Sequence, residues 1–191
     1  MSKNRVRRVV MISLLSAIAV SIVVSGVSKY LPFPILTYLK FDPAEIPAFI
    51  ALFMLDYKAA LGVSIVHYIF LLWFGEFTPI GPTMKFLAVI STIFGWELVG
   101  MFSSNTIARL VSASITRALV MTIANIYVLL FIFPDFICYA GRLLGYSECD
   151  VWTVLPIMLG LTAVYNVLHV LVLNYFVSKI IADRVSAVIK F

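Results

Sequence analysis

The sequence predicts an all-α polytopic membrane protein, a six-helix transmembrane bundle, and three observations predict it. Hydrophobic residues make up 63% and charged residues 12% of the 191 positions, against about a half and a quarter in ordinary soluble domains. A chain so apolar cannot cover its own surface with polar groups, so lipid is its solvent. The apolar positions gather into runs near the roughly 20 residues that cross a bilayer. The excess of Lys and Arg, 14 against 9 Asp and Glu, collects at the ends of those runs. That is the pattern of membrane orientation rather than of a nucleic-acid surface.

The first run, Val9–Ser28, follows Lys3, Arg5, Arg7 and Arg8. It is longer than the apolar core of a signal peptide and more spans come after it, so it reads as a retained helix. The second, Pro43–Leu55, is short and opens on Asp42-Pro43, an N-cap acid followed by proline at the first helical position. Its Glu45 and Pro47 make it a poor lipid-facing helix, expected at the outer edge of the bundle or only partly across. Ala59–Phe74, Met84–Phe102, Ser112–Phe133 and Thr153–Ser178 complete the set. Residues 1–191 read as one transmembrane domain, without a clear repeat or linker.

Six spans place both termini on one side. That side then holds Lys3, Arg5, Arg7, Arg8, Lys58, Arg109, Arg117, Lys179, Arg184 and Lys190, and the other holds Lys29, Lys40, Lys85 and Arg142. Ten against four puts both termini in the cytoplasm of a cell-membrane protein. The longer, aromatic- and proline-rich connections 29–42, 75–83 and 134–152 fall outside, as binding loops often do. Cys138 and Cys149 share the last of these, where a disulfide and two free thiols are both open. Trp73, Trp96 and Trp152 lie near span ends, as belt anchors do.

Catalytic motifs are missing. There is no GxxxxGK[ST] to cradle nucleotide phosphates, no HExxH and no GxSxG. His67 and His169 have no ligand partner at i+3 or i+4, so neither enzyme chemistry nor a metal or cofactor is expected. The informative residues are polar groups inside apolar runs, which cost several kcal/mol in hydrocarbon unless satisfied. Asn125 lies midway along the fifth run, and Asn166 and His169 share one face of the sixth. Ligand binding and interhelical hydrogen bonding are both open to them. Structural pairing is expected of Glu97, and Asn174 reads as structural. Ser13, Ala17, Ser21 and Ser25 form a small-residue groove along the first helix, suited to close helix packing within the chain or against a partner.

Taken together, these residues resemble the S components of energy-coupling factor (ECF) transporters, most closely the riboflavin-specific ones, over nearly the whole chain. The resemblance lies in the six spans, the basic N-terminus and Leu14–Val20 in the first helix. It continues through Leu31-Pro32-Phe33-Pro34, Leu39-Lys40-Phe41-Asp42, Ile46-Pro47, Thr78-Pro79-Ile80-Gly81-Pro82 and Tyr165-Asn166-Val167-Leu168-His169. It departs at Asp56-Tyr57-Lys58, where the riboflavin group often has Gly-Pro, at His169, where it often has Lys, and around Lys85, where it often has Asn.

The resemblance implies a non-enzymatic subunit that captures riboflavin from outside. The substrate site would comprise Leu39, Lys40, Phe41 and Asp42 as a closing segment, with Lys85, Asn125, Asn166 and His169. Tyr38 and Phe41 would add aromatic contact. Ser13, Ala17 and Ser21 would dock on a transmembrane coupling subunit, and two separate ATPases would power uptake. An S component for thiamine, biotin, folate or a cobalamin-like vitamin is the first alternative, and a stand-alone secondary transporter the second. The latter would use intramembrane acids, of which Glu97 is the one good candidate.

Overall fold

The computed structural model describes residues 3–146 and 150–189, with side chains for 5–146 and 150–180. Cys149 and Lys190 lie outside the described residues. The elements run α1 (Lys3–Ser25), α2 (Ile46–Met54), α3 (Tyr57–Phe74), α4 (Ile80–Gly100), α5 (Thr106–Tyr127), α6 (Asp135–Leu143) and α7 (Val151–Ile189). Among the described residues five helices, α1, α3, α4, α5 and α7, are long and apolar enough to cross a membrane. The second apolar run is the shorter helical segment Pro43–Met54, which brings the chain back to the end where α1 begins, since Asp56 there pairs with Arg8. The second segment is a 3-10 turn, Pro43–Glu45, leading into the nine residues of α2.

Local chemistry sets most boundaries. Asp42 caps the 3-10 turn through the Ala44 amide, Asp56 caps α3 through Ala59, and Asn105 caps α5 through Ile107 and Ala108. Each side chain satisfies a backbone donor that the first helical turn leaves open. The Asn105 cap starts α5 six residues before the expected Ser112. At the far end α5 runs into a π-helical turn, Val128–Ile132.

α2 is central rather than peripheral. Pro47, Ala48, Phe49, Ala51 and Leu52 are buried, and α2 packs on α1, α3 and α7. Its core continues through Leu15, Ala19, Val63, Ile93, Val170 and Val177. α4 lies along α5 with very close approach: a Cβ on Gly95 would stand 2.7 Å from Thr116 Oγ1 and 2.8 Å from the Ser112 carbonyl. Large apolar side chains such as Phe102, Ile107, Ile123 and Phe131 point outward, as lipid contact requires. Trp73 and Trp152 are exposed like them, whereas Trp96 is buried and packs edge-on against Phe53.

At the end bearing the N-terminus, Arg8 of α1 pairs with Asp56 at 2.8 Å, joining the start of α1 to the start of α3. At the opposite end the chain between α1 and α2 folds back on itself. Phe33 donates to the Leu39 carbonyl and Phe41 to the Leu31 carbonyl, and Phe33 and Leu36 sink against Tyr165. Cys138 on α6 is disulfide-bonded.

Candidate functional site

Beneath that folded connection lies a cavity of about 300 Å³, at the lower bound of the ~300–1,000 Å³ usual for small-molecule sites. The end of α1, the 28–42 connection, the α3–α4 turn, one face of α5 and part of α7 enclose it. α5 contributes Arg117, Met121 and Asn125, three residues at steps of four and hence on one helix face, and the π-helical turn after it adds Leu129.

The floor is charged and fully buried. Arg117 donates from Nη1 to Glu45 Oε2 at 2.7 Å and from Nη2 to Glu45 Oε1 at 3.2 Å. Its Nε donates to Asn166 Oδ1 at 3.0 Å, and Nη1 reaches Thr92 Oγ1 at 3.5 Å. Arg117 and Glu45 are 2% and 1% exposed. A pair so enclosed needs bidentate geometry and further hydrogen bonds to offset its desolvation, and this one has both.

The rim is held by two more ion pairs. Lys40 pairs with Glu76, clasping the 28–42 connection to the α3–α4 turn, and Lys85 pairs with Asp42. Asp42 also accepts from Ser28 Oγ and from Ala44 N. Burial pushes the Asp42 carboxyl up, but the Lys85 ammonium and His67 together hold it below its usual range. The hydrogen bond from Lys40 lowers the Glu76 carboxyl. Burial pushes the Tyr38 hydroxyl up to about 12, against a hydrogen bond with Thr162.

Of the residues singled out from sequence, Leu39, Lys40, Asp42, Lys85, Asn125 and Asn166 line the cavity. Phe41 and His169 do not. Phe41 stacks on His169 with ring centroids 5.5 Å apart, and both pack against Tyr165, which takes the place in the wall. Tyr165 Oη donates to the Lys40 carbonyl at 2.6 Å. That uses its one proton, so His169 Nδ1 is the donor across the 3.0 Å contact to the same hydroxyl. His169 Nε2 stands 3.4 Å from Glu45 Oε1. His169 thus braces the closing segment from behind, through Phe41 and Tyr165, while its Nε2 has no hydrogen-bond partner among the described residues.

Asn166 is largely spent on the protein, accepting from Arg117 and donating to the Thr162 carbonyl. Asn125 Nδ2 donates to the Met121 carbonyl at 2.7 Å, and the side-chain oxygen of Asn125 has no hydrogen-bond partner among the described residues. Glu97 makes no ion pair among the described residues, so the intramembrane pairing expected of it falls to Glu45. Sequence reasoning missed Arg117 by counting it as a surface charge. Measured from the Asn105 cap it lies some twelve residues into α5, about 18 Å along the axis at 1.5 Å per residue. Among the described residues no group of His, Cys, Asp and Glu could hold a metal ion.

On α1, Leu15, Ser16 and Ala19 face the bundle, while Ser13, Ala17, Ser21 and Ser25 are exposed. Ser21 and Ser25 return their hydroxyls to carbonyls of their own helix. The small-residue face is therefore not consumed by packing within the chain.

Fold and cavity define a multi-pass membrane protein whose helical bundle holds a ligand-sized chamber at one end. No family model matches the chain, and no curated protein matches its sequence. Among solved structures it shares the fold of the S component of a bacterial ECF transporter. That match has a TM-score of 0.75 and covers 98% of this chain and 99% of that one, at 24% identity.

Proposed function

We propose that this chain is the substrate-binding S component of an ECF-type vitamin uptake transporter and that its substrate is riboflavin. The observation that carries the reading is the layout of the cavity. A buried polar floor at Glu45, Arg117 and Asn166 and a polar rim at Lys40, Glu76 and Asn125 are separated by apolar wall from Leu71, Met84, Ala88 and Met121. Arg117 and Asn125 stand eight residues apart on one face of α5, about 12 Å at 1.5 Å per residue. An elongated ligand with a carbonyl-bearing end, a flat apolar middle and a hydroxylated tail suits that layout. Riboflavin has this form.

In this reading both termini lie in the cytoplasm. Arg5, Arg7, Arg8, Lys58, Arg109 and Lys179 support that placement even with Arg117 removed from the count. Riboflavin enters from outside beneath the 28–42 segment. A coupling subunit docks on Ser13, Ala17 and Ser21, and two ATPases supply the nucleotide chemistry for which this chain has no P-loop.

Asn125 provides the test of the site. Asn125→Leu should weaken riboflavin binding by about 1–3 kcal/mol, the cost of a buried hydrogen bond left unmade, or roughly 5- to 150-fold. Asn174→Leu, on α7 away from the cavity, should change it little. Calorimetric titration of both variants reads the difference, and equal affinities would remove Asn125 from the site.

A further inference from the structure

Two donors of the floor residues that border the cavity are left without a partner among the described residues. A guanidinium carries five N–H groups. For Arg117, Nε is spent on Asn166, Nη1 on Glu45 and Thr92, and one Nη2 hydrogen on Glu45. The second Nη2 hydrogen has no acceptor among the described residues, and Arg117 borders the cavity. The Asn166 amide likewise gives one hydrogen to the Thr162 carbonyl and keeps the other. Each acceptor around them already takes a donor. Both Glu45 oxygens take Arg117 donors, Asn166 Oδ1 takes Arg117 Nε, and Thr92 Oγ1 donates to the Ala88 carbonyl while facing Arg117. The floor thus offers donors to a ligand.

Its charge limits which acceptors they can meet. Glu45 already neutralises Arg117 at 2.7 Å, so an anionic ligand end would meet the Glu45 carboxylate at close range where dielectric screening is weak. A carboxylate or phosphate is therefore disfavoured there, and a neutral carbonyl is not. We propose that Arg117, held by Glu45, is a specificity-determining residue whose free Nη2 hydrogen bonds an uncharged carbonyl at the buried end of the ligand. This rests on the riboflavin reading and assigns the pyrimidine carbonyl edge of the flavin, rather than its hydroxylated tail, to the floor.

The test is isotope-edited infrared spectroscopy of purified full-length protein with riboflavin carrying carbon-13 at the pyrimidine carbonyls, alongside titrations. In the wild type a carbonyl band should lie below its position in an aprotic solvent. Arg117→Lys keeps a cation for Glu45 but loses the planar fork. That variant should move the band back up and weaken binding roughly 10- to 100-fold, in line with a hydrogen bond to a charged donor. A merely structural role for Arg117 would lower affinity and leave the band in place, which overturns the proposal, as does unchanged affinity. If Arg117→Lys does not fold, a wild-type band at its aprotic position still overturns the proposal, since such a carbonyl has no donor, and a lowered band that stays lowered in Asn166→Leu assigns the donor to Arg117. Failure of the wild type to bind riboflavin is a separate outcome. It removes the riboflavin reading and this assignment with it.

Discussion

Arg117→Leu should strip Glu45 of its partner and destabilise the bundle by about 3–5 kcal/mol, the range for breaking one side of a buried ion pair. The loss is large because the buried acid must then take up a proton itself or draw one onto His169, and either is costly. The remaining contact of Glu45 is His169 Nε2 at 3.4 Å, and water is excluded at 1% exposure. The expected readout is a sharp fall in the melting temperature of detergent-purified protein, or failure to purify as a monodisperse species. Removing both charges is a different matter, since a buried pair often gives way to apolar residues of similar volume at little cost. Glu45→Leu with Arg117→Met should therefore recover much of the stability while leaving ligand binding impaired. A single Arg117→Leu variant that melts like the wild type would mean that the pair does not hold the floor together.

Ala17→Trp should leave the bundle and its cavity intact and block transport. Ala17 sits in the middle of the exposed small-residue face of α1, and Leu15 and Ala19 carry the packing against the bundle. A bulky ring there costs this chain little, because lipid can accommodate it. Against a partner helix in close contact it costs about 1–3 kcal/mol of overpacking, roughly 5- to 150-fold in assembly. Reconstituted vesicles with the coupling subunit and both ATPases supply the measurement. ATP-driven uptake should fall by that factor while riboflavin affinity in the isolated chain stays unchanged. Normal uptake would move the docking surface off this face of α1.

Much of the architecture was legible because the bilayer imposes a length and a composition on every span. The apolar runs located α1, α3, α4, α5 and α7, and Asp42-Pro43 marked the start of the second segment, where Asp42 does cap the turn. What failed was the place of that segment. Glu45 and Pro47 look wrong for lipid, and they are; the inference to the bundle edge overlooked the alternative of complete burial against a partner charge. The partner was hidden by a misplaced boundary. With α5 taken to start at Ser112, Arg117 lies near a membrane surface, whereas the Asn105 cap puts it well inside. An Asn followed by Thr106 and an apolar run was the signal available.

The site was legible as far as single residues announce themselves. Asn125 and Asn166 stand out in apolar sequence and both line the cavity. Whether an amide is spent on the protein or left for a ligand depends on who stands opposite it, and sequence does not show that Asn166 already serves Arg117. The shared face with Asn166 leaves ligand binding and interhelical hydrogen bonding both open to His169, and only the family resemblance implies ligand contact for it. One turn of helix separates the two, and Tyr165 occupies the wall in its stead. The π-helical turn at Val128–Ile132 had no sequence signal in hand, since Val, Leu, Phe and Ile suit an α-helix equally well there.

The central claim is that the chamber beneath residues 28–42 takes riboflavin, and titration of purified wild-type protein tests it most directly. Bound flavin has its own absorbance bands in the visible blue and a fluorescence that stacking and burial quench. The account predicts that protein purified after growth with riboflavin carries those bands. It also predicts that ligand-free protein quenches added riboflavin saturably, at one flavin per chain. A colourless preparation that neither quenches riboflavin nor releases heat on mixing would contradict it.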